Sequence, residues 1–133
     1  MPNALLRVWE FLYLIHVHYR GKNEKSKLKN DFNVNASDLI CYIGPSISQK
    51  NYEVGEEVAV KFEDEFIIKS KNKFYLDVAG ANYNMLLNEG VKKVNIQRSG
   101  LCSFEYKSLL HSYRRDGQKS GRALGIIAMK DVI

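Results

Sequence analysis

The sequence predicts an α+β fold, a layered mixed β-sheet with flanking helices, in a single domain that spans residues 1–133. Short runs rich in β-branched and aromatic residues alternate with two segments of helical periodicity, which favours strands and helices in one layered unit. The length is that of one domain. A hydrophobic content of 45% with 11% aromatic residues supplies enough apolar surface for a packed core.

The first third of the chain contains two predicted strands and a polar connector. Residues 5–19 are nearly continuously apolar, which predicts one buried strand or a tight pair of strands. Residues 22–33 are rich in Lys and Asn and predict a solvated connector or a marginal helix. Residues 35–38 predict a turn or a helix cap, and residues 39–43 predict a short buried strand.

A helix and two short strands are predicted next. Residues 52–62 predict a helix, because apolar residues recur at every fourth position and acidic residues lie near its beginning. Residues 66–69 and 74–76 predict two short strands around a turn of Lys and Asn.

The last predicted helix has recognisable signals at both ends. Asp77 is expected to cap a helix over residues 78–88, and Gly90 to stop it. Residues 91–98 alternate as a strand, and residues 123–129 predict a final strand.

Charge and cysteine content limit the classes of function. The net charge of +5 suits an anionic small ligand, and no basic face with interleaved aromatic residues predicts a nucleic-acid partner. Cys41 and Cys102 are too few for a disulfide scaffold, so we expect a reduced, cytoplasmic protein. The apolar stretch 4–17 contains Arg7 and Glu10 and is too short to span a membrane.

A cluster of three arginines and one aspartate lies on a glycine-punctuated turn near the C-terminus. It consists of Arg114, Arg115, Asp116 and Arg122. Arginine binds phosphate or carboxylate in a bidentate manner, so the cluster predicts either an anion site or a salt-bridge network. We expect Asp116 to pair with one arginine and another arginine to face a pocket. Cys102 and His111 could form a nucleophile pair. Alternatively, Cys102 is a small buried hydrophobic residue.

Four motifs occur in a characteristic order. They are His16-x-x-x-Arg20-Gly21, Ile43-Gly44-Pro45-Ser46-Ile47, Tyr52-Glu53-Val54-Gly55, and Cys102 followed by Ser112-Tyr113-Arg114-Arg115-Asp116 and Gly121-Arg122. Together they resemble the laccase-domain family, once called multicopper polyphenol oxidase-like. Its members are described as zinc-dependent purine nucleoside phosphorylases that also deaminate adenosine. The resemblance runs from about His16 onward, so the chain is similar to the C-terminal half of a family member and is expected to be truncated.

The resemblance implies a cofactor and a set of site residues. Zinc is the implied metal, copper having been proposed historically, and His16 is the implied ligand. Arg20 and Arg114 are the implied catalytic residues. The implied substrate-binding residues are Gly44, Ser46, Tyr113, Arg115 and Arg122. The family's other His and Cys ligands belong to a front half with no counterpart here. His16 and His18 share one face of the predicted strand, which leaves a two-histidine site as an alternative.

Two functions remain open from the sequence. The first is phosphorolysis of adenosine, inosine or methylthioadenosine, with adenosine deamination, impaired by truncation. The alternative is a non-catalytic remnant or subunit that needs a partner chain, the missing N-terminal half, or self-association as a homo-oligomer. The expected partners are a purine nucleoside and phosphate, with no nucleic acid and no membrane.

Overall fold

The computed structural model describes residue 33 and residues 35–124, and its strands and helices confirm the α+β class. In chain order they are β1 (Cys41–Ile43), β2 (Glu53–Val54), α1 (Glu56–Ala59), β3 (Ile67–Ser70), β4 (Lys73–Leu76), α2 (Val78–Asn88), β5 (Ile96–Arg98) and α3 (Tyr113–Asp116). Residues 5–19, the connector over 22–32 and residues 125–129 lie outside the described residues.

A three-stranded antiparallel sheet has the order β2-β4-β3. β3 and β4 form a hairpin whose two turn residues, Lys71 and Asn72, have φ angles of 48° and 60°. Positive φ at both positions matches the turn whose twist suits a two-residue hairpin loop. The two predicted short strands and their Lys/Asn turn are therefore confirmed, with bounds that differ by one residue.

The helix predicted over residues 52–62 is wrong at its beginning and too long. Glu53 and Val54 form β2, because they pair with Tyr75 and Phe74 of β4. Gly55 is extended and precedes α1, which has one turn. The apolar spacing that predicted a helix therefore includes a residue of an edge strand, and sheet pairing decided the local structure.

Helix α2 has the predicted bounds, and each end has an identifiable cause. The Asp77 carboxylate accepts a hydrogen bond from the Gly80 N–H at 2.9 Å, which confirms the predicted cap. At the other end Gly90 has a φ of 95°. The N–H groups of Gly90 and Val91 donate to the carbonyls of Leu87 and Leu86, both at 3.0 Å, which satisfies these two carbonyls of the last turn.

Packing divides the chain into two units. The described part of the first unit comprises residues 35–42 and 85–97, and its buried side chains are Leu39, Cys41, Leu86, Val91 and Ile96. The second unit comprises residues 43–84 and 98–124, and its buried residues are Ala59, Leu76, Ala81, Cys102 and Ser112. Within residues 35–124 no helix has the length and apolar character needed to cross a bilayer.

The strand predicted over residues 91–98 is shorter in the structure. β5 covers only Ile96–Arg98 and pairs with β1, because residues 93–95 form a 3-10 turn in which the Asn95 N–H donates to the Lys92 carbonyl at 2.8 Å. Val94 is 86% exposed whereas Ile96 is buried. The strand alternation predicted over residues 91–98 is therefore wrong at residues 93–95.

Candidate functional site

The predicted site residues fall into two groups. His16 and Arg20 lie outside the described residues. The remaining predicted residues belong to the second unit: Gly44, Ser46, Tyr113, Arg114, Arg115 and Arg122. The arginine cluster is centred on α3, and the sequence explains why a turn of helix forms there.

Ser112 begins α3 and Gly117 ends it. The Ser112 hydroxyl oxygen accepts a hydrogen bond from the Arg115 N–H at 3.3 Å, as a serine at a helix N-cap does. Gly117 has a φ of 59°, a conformation that glycine adopts without strain. The helix therefore places consecutive side chains, Arg114 and Arg115, in different directions.

Arg115 is held by the protein itself. Its Nε and Nη2 donate to the Asp116 carboxylate at 2.9 and 2.7 Å, which confirms that Asp116 pairs with an arginine. Its other bonds go to the carbonyls of Ser103 and Phe104, both at 2.9 Å, and Leu110, at 3.0 Å. All five guanidinium N–H donors are thereby used, so a ligand would have to displace an existing bond.

The partner of Arg115 is affected in turn. The hydrogen bond from Arg115 lowers the pKa of the Asp116 carboxyl below its usual value, against a smaller opposing effect of burial. The pair therefore stays ionised at neutral pH and secures residues 103–110, the loop between β5 and α3. The predicted substrate-binding role of Arg115 stays a prediction.

Arg114 is exposed, in contrast to its neighbour. Its Nη1 donates to the Glu53 carbonyl at 2.8 Å, and its guanidinium lies over the Tyr52 ring, 5.1 Å from the centroid. Within residues 35–124 these contacts leave four of its N–H donors free for solvent or a ligand. A guanidinium placed by a ring and a carbonyl is well suited to bind an anion.

Arg114 lies at the wall of a pocket of about 350 Å³. The lining residues, all of the second unit, are Ile47, Tyr52, Val78, Ser103, His111, Ser112, Tyr113 and Arg114. This volume is within the range of small-molecule sites, and so is a mostly apolar wall with a few polar groups. Of the predicted site residues that the structure describes, the pocket includes Tyr113 and Arg114.

His111 is the lining residue whose position depends most directly on a motif glycine. Its imidazole packs against the Cα atom of Gly121, where an added Cβ would come within 2.6 Å of Nε2. The glycine of the Gly121-Arg122 motif therefore makes room for this ring. From the sequence, His111 is expected only as a possible partner of Cys102. Cys102 does not line this pocket.

Arg122 makes short-range contacts at the edge of the site. Its Nη1 donates to the carbonyls of Ser120 and Gly121, both at 3.0 Å. Its guanidinium lies 5.4 Å from the centroid of the Tyr113 ring. Arg122 thus covers one face of a pocket aromatic residue, and its predicted contact with substrate stays a prediction.

Ser46 lies beside Cys102 rather than in the pocket lining. The two residues form a parallel bridge, and the Ser103 N–H donates to the Ser46 carbonyl at 3.0 Å. Apart from the chain neighbours of Gly44, no heavy atom of the described residues lies within 4 Å of where a Cβ would be, so packing among them does not require glycine there. The substrate-binding roles of Gly44 and Ser46 are untested by these contacts.

Cys102 is 4% exposed and its sulfur is surrounded by donors. The Ser48 N–H lies 3.2 Å from Sγ. Burial raises the pKa of the thiol, but hydrogen bonds from the Ser48 side chain and from the N–H groups of Ser48, Glu105 and Phe104 together outweigh it and lower the pKa to about 7. The thiol is therefore buried, as the second interpretation of the sequence held, and its pKa lies below the usual value for cysteine.

A metal ion in a protein is held by several His, Cys, Asp or Glu side chains that lie close together. Within residue 33 and residues 35–124 no three His, Cys, Asp or Glu side chains come together as a metal-binding group. The predicted ligand His16 and its neighbour His18 lie outside this range. The zinc site therefore stays a prediction.

The structure is that of an α+β protein with a pocket of about 350 Å³ whose lining includes tyrosine and arginine. The chain belongs to the multi-copper polyphenol oxidoreductase laccase family, whose model matches residues 21–130. This confirms the family to which the motifs pointed.

Curated relatives and a solved structure cover parts of the chain. It is 37% identical over 91 residues to a purine nucleoside phosphorylase of Deinococcus radiodurans, covering 65% of this chain and 34% of the relative. The purine nucleoside phosphorylase YlmD of Bacillus subtilis is 35% identical, covering 73% and 37%, and a purine nucleoside phosphorylase of Bacteroides thetaiotaomicron is 31% identical, covering 87% and 48%. The chain thus spans about a third to a half of these relatives.

The crystal structure of hypothetical protein YfiH from Bacillus licheniformis is similar to this structure with a TM-score of 0.63. The two chains are 26% identical, and the match covers 66% of this chain and 36% of the other. The fold is therefore that of part of a YfiH-type protein.

Proposed function

We propose that this chain takes part in the phosphorolysis of purine nucleosides, with adenosine, inosine or methylthioadenosine as substrate and inorganic phosphate as the second substrate. The observation that carries the proposal is Arg114, which lies at the wall of a pocket of small-molecule size and has four N–H donors without a partner among the described residues. The names of the relatives, purine nucleoside phosphorylase, support the choice of reaction.

In this proposal Arg114 binds the phosphate. A planar guanidinium can donate two parallel hydrogen bonds to a phosphate oxygen pair, and contact with Tyr52 and Glu53 restricts its motion before phosphate arrives. The tyrosine rings and Ile47 and Val78 offer apolar surface to the nucleoside. Arg20 is proposed as a second arginine for phosphate or substrate.

The other motif residues have supporting roles in the proposal. Tyr113 contacts the nucleoside, with Arg122 over its ring. Arg115 holds residues 103–110, so its effect on substrate is through the loop. Gly44 and Ser46 are proposed to approach the substrate through the turn that leads to Ile47, which lines the pocket.

Adenosine deamination and zinc form the further part of the proposal. His16 is proposed as one metal ligand. When bound, zinc acidifies a water ligand, which is the chemistry that deamination at C6 of adenosine needs. No step is derived through the metal, since His16 lies outside the described residues.

A second proposed function is non-catalytic, as a subunit that pairs with itself or with a partner chain. It is favoured by apolar side chains exposed in the first unit, namely Ile40 at 60%, Tyr42 at 52% and Val94 at 86%. Surfaces of this kind often take part in association. Sedimentation velocity across a range of concentrations would separate a monomer from a self-associating chain.

The test of the proposed enzyme activity is turnover of inosine by the full chain, with and without phosphate. Phosphorolysis requires hypoxanthine and ribose 1-phosphate to appear in equal amounts and only with phosphate. Hypoxanthine release without phosphate would indicate hydrolysis and contradict the proposal. No product with any of the three nucleosides would leave the subunit role as the better account.

A further inference from the structure

We propose that His111 is a catalytic residue that donates a proton to the departing purine base. The inference rests on the proposed phosphorolysis and assigns a role to a residue outside the predicted site set. His111 lies in the pocket wall with Arg114, Tyr113 and two serines.

In phosphorolysis the purine base is the leaving group, and it is a poor one unless it is protonated. A phosphate oxygen forms a bond to C1′ while the bond from C1′ to N9 breaks, and its electron pair passes into the purine ring. A proton delivered to N7 neutralises that charge as it develops, which is general acid catalysis. The monohydrogen phosphate loses its own proton on becoming ribose 1-phosphate, and this proton restores the donor. Protons and electrons therefore balance over one turnover.

Among the residues that line the pocket, histidine has the chemistry for this transfer. Histidine is the side chain that most often transfers protons in enzyme reactions, and tyrosine does so less often. The two serine hydroxyls can donate hydrogen bonds but do not ordinarily release a proton at neutral pH. Ser112 is in addition 6% exposed and its oxygen caps α3.

The imidazole is also positioned and available. Its ring packs on Gly121, where no side chain could be accommodated without moving it. Within residues 35–124 the ring nitrogens have no hydrogen-bond partner, and His111 is exposed. A nitrogen with no partner among the described residues is available to bond to a base in the pocket. Arg114 on the same wall provides the phosphate contact, so both reactants would meet one pocket.

The test compares two nucleosides that differ in their need for a proton. Inosine releases hypoxanthine, which needs one at N7. 7-Methylinosine already carries a methyl group and a positive charge at N7, and leaves as a neutral base without a proton. In the full chain, His111→Asn should lower kcat for inosine roughly 100-fold while kcat for 7-methylinosine stays within about threefold. His111→Gln keeps a donor without a titrating group and should show the same difference.

The outcomes separate this role from simpler ones. Equal losses with both nucleosides would assign His111 to binding or packing and overturn the inference. No loss with either would also overturn it. If the unchanged chain turned over neither nucleoside, the proposed function itself would fail, together with this inference. Thermal unfolding of both variants confirms that they are folded, and His111→Gln carries the test if His111→Asn is not.

Discussion

Arg114 and Arg115 are neighbours in the chain, yet their guanidinium groups have opposite surroundings. We call Arg115, Asp116 and Cys102 the packed side of the site, and Arg114 and His111 its pocket side. On the packed side every guanidinium donor is used and the Cys102 sulfur accepts several hydrogen bonds. On the pocket side Arg114 keeps four donors free and the His111 nitrogens have no partner within residues 35–124. One motif therefore supplies both the side chains that hold the loop in place and the side chains that face the pocket.

The largest effect is expected for Arg114→Met, on the kinetics with phosphate. Removing the guanidinium should raise the KM for phosphate or lower kcat/KM by about 100-fold, because a charge-assisted contact to an anion is lost. The unfolding free energy should change by less than about 0.5 kcal/mol, as for most exposed positions. Steady-state kinetics with varied phosphate measures the first, and urea unfolding the second.

The matched control for that variant is Arg98→Met. Arg98 is an exposed arginine of the same unit that lies 5.8 Å from the Tyr83 ring centroid and outside the pocket lining. It should leave the phosphate dependence unchanged. An equal loss in both variants would mean that general charge, rather than the pocket, attracts phosphate.

The reverse pattern is expected for Arg115→Met. Three backbone carbonyls would lose their donor and Asp116 its partner, which should cost about 2–3 kcal/mol of unfolding free energy. Urea unfolding followed by circular dichroism measures the loss. A variant as stable as the unchanged chain would remove the distinction between the two sides, since Arg115 would then be as dispensable for folding as Arg114.

The Ser112–Asp116 motif could be recognised from the sequence, but the different roles of its two arginines could not be predicted from it. That Asp116 would pair with an arginine followed from charge alone, whereas which arginine depended on where the carbonyls of residues 103–110 lie. Helix α2 was predictable to the residue because its cap and stop signals are local, at Asp77 and Gly90. The helix expected over residues 52–62 failed because strand pairing with β4 is not local. His111 joined the pocket through a glycine ten residues further along.

Cys102 extends the comparison to pH. Its folded pKa of about 7 is lower than the usual value, so the thiolate contributes stability that is fully present above the unfolded pKa and is lost as pH falls through 7. Relative to Cys102→Ala, the unchanged chain should gain about 1–2 kcal/mol of unfolding free energy between pH 6 and pH 8.5. Urea unfolding at several pH values measures the difference.

Cys41 is the control for this effect, because burial alone raises the pKa of its thiol. Cys41 is 1% exposed, so Cys41→Ala removes a buried sulfur just as Cys102→Ala does. The stability difference between Cys41→Ala and the unchanged chain should not grow over the same pH range. A similar gain at both cysteines would mean that the response does not come from the donors around Cys102, since burial by itself gives no such gain.

The smallest effect on activity is expected for Gly121, the glycine against which the His111 ring packs. Gly121→Ala places a methyl group within the contact distance of the His111 ring, which must move because the side chain, rather than the backbone, can yield. We expect kcat for inosine to fall roughly tenfold, about 1.4 kcal/mol, with little change for 7-methylinosine. Gly100→Ala is the matched control, since no heavy atom of the described part of the chain, its sequence neighbours aside, lies within 4 Å of the added methyl group. Loss of activity in Gly121→Ala with both nucleosides alike would show that the glycine supports the pocket as a whole, and the special position of His111 would then have no support.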